Sequence, residues 1–411
     1  MPRLTTLTAL LLFSGLASAG DWPQWLGPRR DGSSTEKIAP WKESPKVLWR
    51  EPVGEGNGGP VVAGGRVYIF AKVKDKEEEE VIAFEAKTGK RIWQKAYPRG
   101  SFTSLYGVGP RGTPVLADGR IITYGITGLL TCFDAEKGDQ AWQVDTAKEF
   151  APVKLMFGAA CSPLLFGRNV LINVGGKGAS VVAFEATTGA VVWKSQDDRA
   201  SYSSPIHTRQ GSSDSVVFLT GANVLGLNPT DGAPFWEFPL KDDFLESSST
   251  PQRIGDILIA SSISYGSVGL KLEVKDGKPT VQQAWKNPRL TCYFSTPIAV
   301  GKDHVYMVTG SNPIAIKHEA TLRCVETATG KVLWNKTPVG EYHASLLRTG
   351  DDKLLFLDDV GKLMLLEPNP KEYKELARAK VCGKTWAHPA LADGRLYVRD
   401  EKELICLEMA P

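Results

Sequence analysis

Apolar positions in this chain come in short runs, not in long helical stripes. Seven runs follow a turn rich in Gly or Asp: "AGGRVYI" at 63, "ADGRIIT" at 117, "FGRNVLI" at 166, "IGDILIA" at 254, "GKDHVYM" at 301, "GDDKLLF" at 350 and "ADGRLYV" at 392. Gly and Asp supply the turn geometry, and the β-branched residues after them read as strands. Few stretches hold a 3.6-residue period, which excludes a helix-rich fold.

These strands belong to a repeat with two further landmarks. The first is a small residue followed by Pro: Gly59-Pro60, Thr113-Pro114, Ser162-Pro163, Ser204-Pro205, Thr250-Pro251, Thr296-Pro297 and His388-Pro389, with Ala344-Ser345 filling the gap. Eight landmarks from 60 to 389 give a mean step of 47 residues. The second is the segment "VIAFEAKTGKRIW" at 81–93, which returns as "VVAFEATTGAVVW" at 181–193 and "LRCVETATGKVLW" at 322–334. Its acid or Asn recurs at Glu85, Asp134, Glu185, Asn228, Glu273, Glu326, Glu367 and Glu408. In most copies a Gly follows four residues later and a Trp eight residues later. The Gly is expected at a positive φ in a tight turn, and the acid at that turn's backbone N–H groups. Each Trp is expected to cover the neighbouring unit, which assigns Trp49, Trp93, Trp142, Trp193, Trp236, Trp285 and Trp334 structural docking roles.

Four antiparallel strands per unit of this length make a β-propeller blade. The chain is therefore read as all-β, an eight-bladed β-propeller of four-stranded antiparallel blades over 46–411. The eighth repeat stops before its Trp strand, while "KVLWREPVGE" at 46–55 matches "KVLWNKTPVGE" at 331–341. The N-terminal strand is thus expected to complete the last blade and close the ring, leaving no open edge.

Composition refines this picture only a little. A net charge of +3 on 411 residues gives no reason to expect nucleic acid as a partner. Residues 1–19 carry Arg3, the apolar run "LTALLLFSGLA" and the exit "ASA", the layout of a signal peptide. No stretch is long enough for a membrane span, and no Cys stands at the cleavage site for a lipid anchor. An exported, soluble chain, periplasmic or secreted and monomeric, is expected, with 20–45 as a leader packing Trp22, Trp25 and Trp41 on the ring. Cys132, Cys324 and Cys406 occupy one repeat position, where other copies have Ala83, Ala183, Gly226, Leu365 and Lys271. They read as small buried hydrophobes, not as disulfide partners.

The pattern A-x-D/E-x-x-T-G-x-x-x-W resembles the tryptophan-docking repeat of the pyrroloquinoline quinone (PQQ) propellers. The leader "DWPQWLGPRRDG" at 21–32 is similar to the segment after the signal in exported proteins of that kind. The resemblance implies one of two activities. One is quinoprotein oxidation of an alcohol or sugar with PQQ and Ca²⁺; the other is the non-enzymatic scaffolding of the BamB-like outer-membrane assembly proteins. The dehydrogenase branch often carries adjacent cysteines, which are absent here, and no acid–Asn–acid cation set can be matched. Accordingly no catalytic residue, metal or cofactor is assigned, and a binding or scaffolding module for a protein, peptide or polymer is the principal expectation.

Candidate chemistry lies in the loops leading into each Pro landmark. Three residues before it the blades read Asn57, Arg111, Ala160, Tyr202, Ser248, Phe294, Tyr342 and Trp386, diverse where the position next to Pro is small in seven of eight blades. Arg111, Tyr202, Phe294, Tyr342, His343, Trp386 and His388 form the expected ligand-binding set, with Asp243 and Glu246 the acids nearest an inner strand. Such aromatics serve equally as lids over the core, as groove walls or as a cofactor pocket, and the sequence leaves these open.

Overall fold

The computed structural model describes residues 20–310 and 319–409; the expected signal segment lies outside the described residues. Eight four-stranded antiparallel sheets follow one another around a ring. Blades 1 to 7 span 61–98, 115–145, 164–195, 206–239, 252–287, 298–336 and 344–380. Blade 8 combines 390–408 with the N-terminal strand Val47–Pro52, which pairs antiparallel with Glu403–Glu408 and sets Trp49 opposite Cys406. Among the described residues the one helix is Thr146–Phe150.

Apolar layers between blades form the core. Leu171, Val181 and Trp193 of blade 3, for example, meet Val216, Phe218 and Leu225 of blade 4. Middle strands are therefore buried on both faces, as in Ala179–Glu185, and read as unbroken apolar runs. Outer strands are exposed apart from the Trp and its register mates, as in Arg91–Pro98.

Two belts lock the blades together. In the outer belt six of the seven Trp bond to the next blade. In five, the indole N–H donates to the carbonyl just after that blade's acid or Asn: Trp49 to Ala86, Trp93 to Ala135, Trp142 to Ala186, Trp193 to Pro229 and Trp285 to Thr327, at 2.9–3.2 Å. Trp334 donates one residue further on, to the carbonyl of Asn369, two residues after Glu367, at 2.7 Å. In the first five the ring lies flat on the Gly of the receiving turn. At Gly138, with φ of +76°, an added Cβ would sit 2.7 Å from the Trp93 ring. The Gly thus meets two demands, a left-handed backbone and room for an indole.

Blade 5 departs from the pattern. Trp285 faces Gly269, so the fifth copy of the small position is Gly269, and the alignment through Lys271 and Glu273 is two residues out of register. The cause is the long hairpin of Gly266–Lys275 and Lys278–Asn287. Trp236 accordingly donates to Gln210 of its own blade, and nothing approaches Gly277. In the seven blades that carry the Trp the residue facing it is small, and Cys132, Cys324 and Cys406 are buried free thiols at that place, as are Cys161, Cys292 and Cys382 elsewhere.

The inner belt is polar. The N–H of Gly59 donates to Thr113 Oγ1 at 2.9 Å, that of Thr113 to Ser162 Oγ at 3.0 Å, and that of Ser162 to Ser204 Oγ at 2.9 Å. Thr250 repeats the bond to Thr296 Oγ1. Between blades 6 and 7, Ser295 Oγ takes the N–H of Ala344 and meets His343 Nδ1 at 3.1 Å.

The leader plugs the axis. Trp22 forms a β-bridge with Val62 and Ser33 with Arg348, while Leu116 N–H donates to the Pro23 carbonyl. Trp22 stacks on His388, and Trp25 meets it edge-on while donating to Thr250. Leu26 joins Ile298 in the core of blades 6 and 7. Arg30 is 3% exposed, and its guanidinium donates to the carbonyls of Ser162, Pro163 and Pro205. Residues 22–36 thereby touch all eight blades at the turn end of the inner strands.

Two measurements probe these belts. Gly277→Ala should cost about 1–2 kcal/mol, the strain of an L-residue at positive φ. Gly138→Ala should cost roughly 1–3 kcal/mol more, because the Trp93 ring must also move. Urea melts that found the two equal would remove the indole–glycine contact from the account. The second concerns His343, whose imidazole is held down to about 4 by burial, against an ordinary 6.5. Between pH 6.5 and 4 the unfolded chain takes up a proton that the folded one refuses. Stability is therefore lost as pH falls through that window, by up to about 3 kcal/mol for this group. The stability of His343→Gln should fall less steeply across it, and parallel profiles would show that His343 is not buried neutral.

Candidate functional site

Opposite the plug, the loops entering the inner strands enclose a cavity of about 830 Å³. All eight residues three positions before the Pro landmark line it, one from each blade. Each is partly exposed, whereas the position next to Pro is buried in every blade. The register explains the contrast. The buried position carries the hydroxyl belt, and two residues earlier the side chain points the same way along the chain but beyond the last inter-blade bond.

Two aromatic arcs form the walls. Phe294 meets Trp386 edge-on at 4.7 Å, and Tyr342 stacks on the same indole at 6.0 Å. Across the mouth, Phe157 contacts Tyr106 and Tyr202 at 5.4 Å each, and the Tyr202 hydroxyl accepts the Phe157 N–H. Between the arcs stands Glu246, which accepts the Tyr293 hydroxyl; burial raises its pKa above the ordinary carboxylate value.

The loops carrying these groups are braced from within. Glu55 accepts the N–H groups of Val108 and Gly109. Asp359 accepts those of Glu341, Tyr342 and His343. Buried Asp242 accepts from Phe244, Glu246 and Ser264. Arg111 donates to the carbonyls of Tyr106, Gly107 and Phe157, and its guanidinium lies 5.8 Å from the Phe157 ring centre. It therefore positions one aromatic arc.

The structure brings together Arg111, Tyr202, Phe294, Tyr342 and Trp386 of the expected set, with Glu246 beside them. It places His343 and His388 outside the lining. His343 is buried behind Trp386, stacked at 6.0 Å, and His388 lies on the plug side under Trp22. Asp243 is exposed and does not line the cavity either. Sequence reading missed Leu105, Tyr106, Met156 and Phe157, which sit in the two longest blade-to-blade loops and outside any repeat register. A loop longer than its counterparts, with apolar residues at its tip, was the available signal.

PQQ is a planar tricarboxylate, and the quinoprotein alternative requires donors for it. The lining offers six carboxylates, while Arg111 is turned into backbone carbonyls. Among the described residues no three His, Cys, Asp or Glu side chains converge to hold a cation. This donor set does not fit an anionic quinone.

Comparison with known proteins places the whole arrangement. The chain is 26% identical over 309 residues to the outer membrane protein assembly factor BamB of Shewanella oneidensis, covering 70% of this chain and 72% of that protein. It is 25% identical over 341 residues to BamB of Burkholderia pseudomallei, covering 79% and 76%. Among solved structures, the quinohemoprotein alcohol dehydrogenase from Comamonas testosteroni superposes with a TM-score of 0.64 at 14% identity, over 95% of this chain and 81% of that one. BamB from Moraxella catarrhalis does so at 0.60 and 15%, over 89% and 100%. Both structural likenesses speak for the fold alone. The family model described as outer membrane protein assembly factor BamB matches residues 32–109, 77–317 and 270–410, the same repeats that fold into blades, and the chain belongs to that family.

Proposed function

We propose that this protein is an exported binding module that engages a protein partner through the loop face, with the cavity at its centre. One observation carries the reading. The four most exposed large apolar side chains among the described residues are Leu105 (96%), Met156 (71%), Tyr106 (65%) and Val153 (57%), and all stand on two adjacent loops of that face. Apolar groups gathered on one face beside a cavity are the mark of an interaction surface. Of the other exposed ones, Val47, Ile92, Val191 and Val192 stand on outer strands and Val274 on the long hairpin of blade 5, while Phe244 (40%) stands on the loop between blades 4 and 5.

The family supports the same reading, since its model and the Shewanella and Burkholderia relatives are called assembly factors. In this reading Tyr202, Phe294, Tyr342 and Trp386 receive the partner, Arg111 holds the rim, and the leader with the propeller acts as one unit. No helix among the described residues is long and apolar enough to cross a membrane.

Site-specific photocrosslinking tests it. A photoreactive residue at Leu105 or Met156 should capture a discrete protein from an envelope extract, and one at Val192, also apolar and exposed, should not. Capture at Val192 alone, or equal capture at all three, would place the partner elsewhere.

A further inference from the structure

The cavity has a charge opposite to that of the chain. The whole sequence carries a net +3. The lining contains Glu55, Glu246, Glu341, Asp359, Asp400 and Glu401 against the three cations Arg111, Lys384 and Lys402, a formal excess of three negative charges. Even those cations are engaged or peripheral. Arg111 is held by backbone carbonyls, Lys384 lies 3.9 Å from Glu341, and Lys402 is exposed at the rim. Glu55, Asp359 and Asp400 brace loops through backbone N–H groups, a role that consumes hydrogen-bonding capacity and leaves the negative charge in place.

The walls add a second preference. Phe294, Tyr342 and Trp386 border the lumen as a cluster of ring faces and edges. Aromatic faces attract cations through the ring quadrupole, by up to about 2 kcal/mol where water is excluded. Low-dielectric walls also focus the field of the carboxylates into the cleft. Carboxylates and aromatic walls bordering one cavity disfavour an anionic guest on both counts. A cationic side chain gains from both, its alkyl stem lying on the rings and its charged head near the acids.

We propose that the loop-face cavity recognises a basic, extended segment of the partner protein, seating a Lys or Arg side chain against Phe294, Tyr342 and Trp386. This rests on the loop-face reading above and names the chemistry of what enters it. Room suffices, since about 830 Å³ exceeds a single side chain and admits several residues of extended chain.

Calorimetric titration with three synthetic decamers, alternating Gly with Lys, Arg or Glu, tests this on the full mature chain. The Lys and Arg peptides should bind one per protein, and the Glu peptide at least roughly a hundredfold more weakly. Glu341→Gln with Glu401→Gln, both at exposed positions, should weaken the Lys peptide by roughly tenfold. Trp386→Leu should weaken it by about five- to thirtyfold, with Phe294→Leu as the second variant should the first melt early. Equal binding of the Glu peptide overturns the inference. So does loss on the acid variants with none on either aromatic variant, because that pattern belongs to diffuse surface charge. Crosslinking from Leu105 that succeeds while the Lys and Arg peptides fail to bind would discard the basic guest and keep the loop-face partner. Failure of both would discard the loop face as well.

Discussion

The clasp between consecutive blades is the constraint on which the rest of this molecule depends. An indole from one blade lies on a glycine of the next and donates to a carbonyl three residues before it. Each half of the contact requires the other. The indole N–H, buried at the interface, needs an acceptor, and the carbonyl after the acid is held in place by the turn that the acid caps. At Glu185 this capping is visible, since its carboxylate accepts from the backbone and hydroxyls of Thr187 and Thr188 and its pKa falls to about 2. Acid, Gly and Trp are therefore one device distributed over two blades.

That distribution explains what was legible in the sequence. A contact repeated around a ring writes itself into the chain at fixed spacing, so fold, blade number and ring closure could be read directly. The positive-φ requirement of the Gly was legible too, yet its second duty was not, because the ring that covers Gly138 belongs to Trp93, forty-five positions away. Blade 5 shows the limit of spacing. Its acid, Glu273, preserves the motif in sequence, but the extended hairpin moves the Trp partner to Gly269, and only the strand register reveals it. At the candidate site the same logic holds. Tyr202, Phe294, Tyr342 and Trp386 share a register and were found together, whereas Tyr106, Phe157 and Leu105 follow no repeat. His343 was misplaced because it directly follows Tyr342, and adjacent residues on an extended strand face opposite ways; His388 shares the face of Trp386 but lies two residues further along, where the side chain meets the plug at Trp22.

The two ends of the channel answer to different physics. At the turn end the leader supplies Trp22, Trp25 and Arg30, and the buried guanidinium is satisfied by three carbonyls from blades 3 and 4. Burial lowers its pKa only to about 10, so it stays charged, and three oriented carbonyl dipoles stand where a counter-ion would otherwise be needed. This seal turns a ring with a hole into a cup. The loop face then becomes a blind cavity whose floor is protein, and ligands meet walls whose charge is set locally.

Ring closure and plugging are also coupled through the covalent chain. The strand that completes blade 8 begins at Val47, eleven residues after Glu36, whose carboxylate accepts the Gly394 N–H of the same blade. Between them, Ile38 and Trp41 pack into the core of blades 7 and 8, where Ala377 stands in the place of a Trp. The one blade junction whose donor strand has no Trp at all is thus the one covered by the leader, whereas Trp236, at the junction of blades 4 and 5, bonds within its own blade. A short tether raises the effective concentration of each contact for the other, so plug and closing strand form or open together. The loop face is free of this obligation: its register positions lie outside both belts, which lets the residues there vary in chemistry while the scaffold beneath stays fixed.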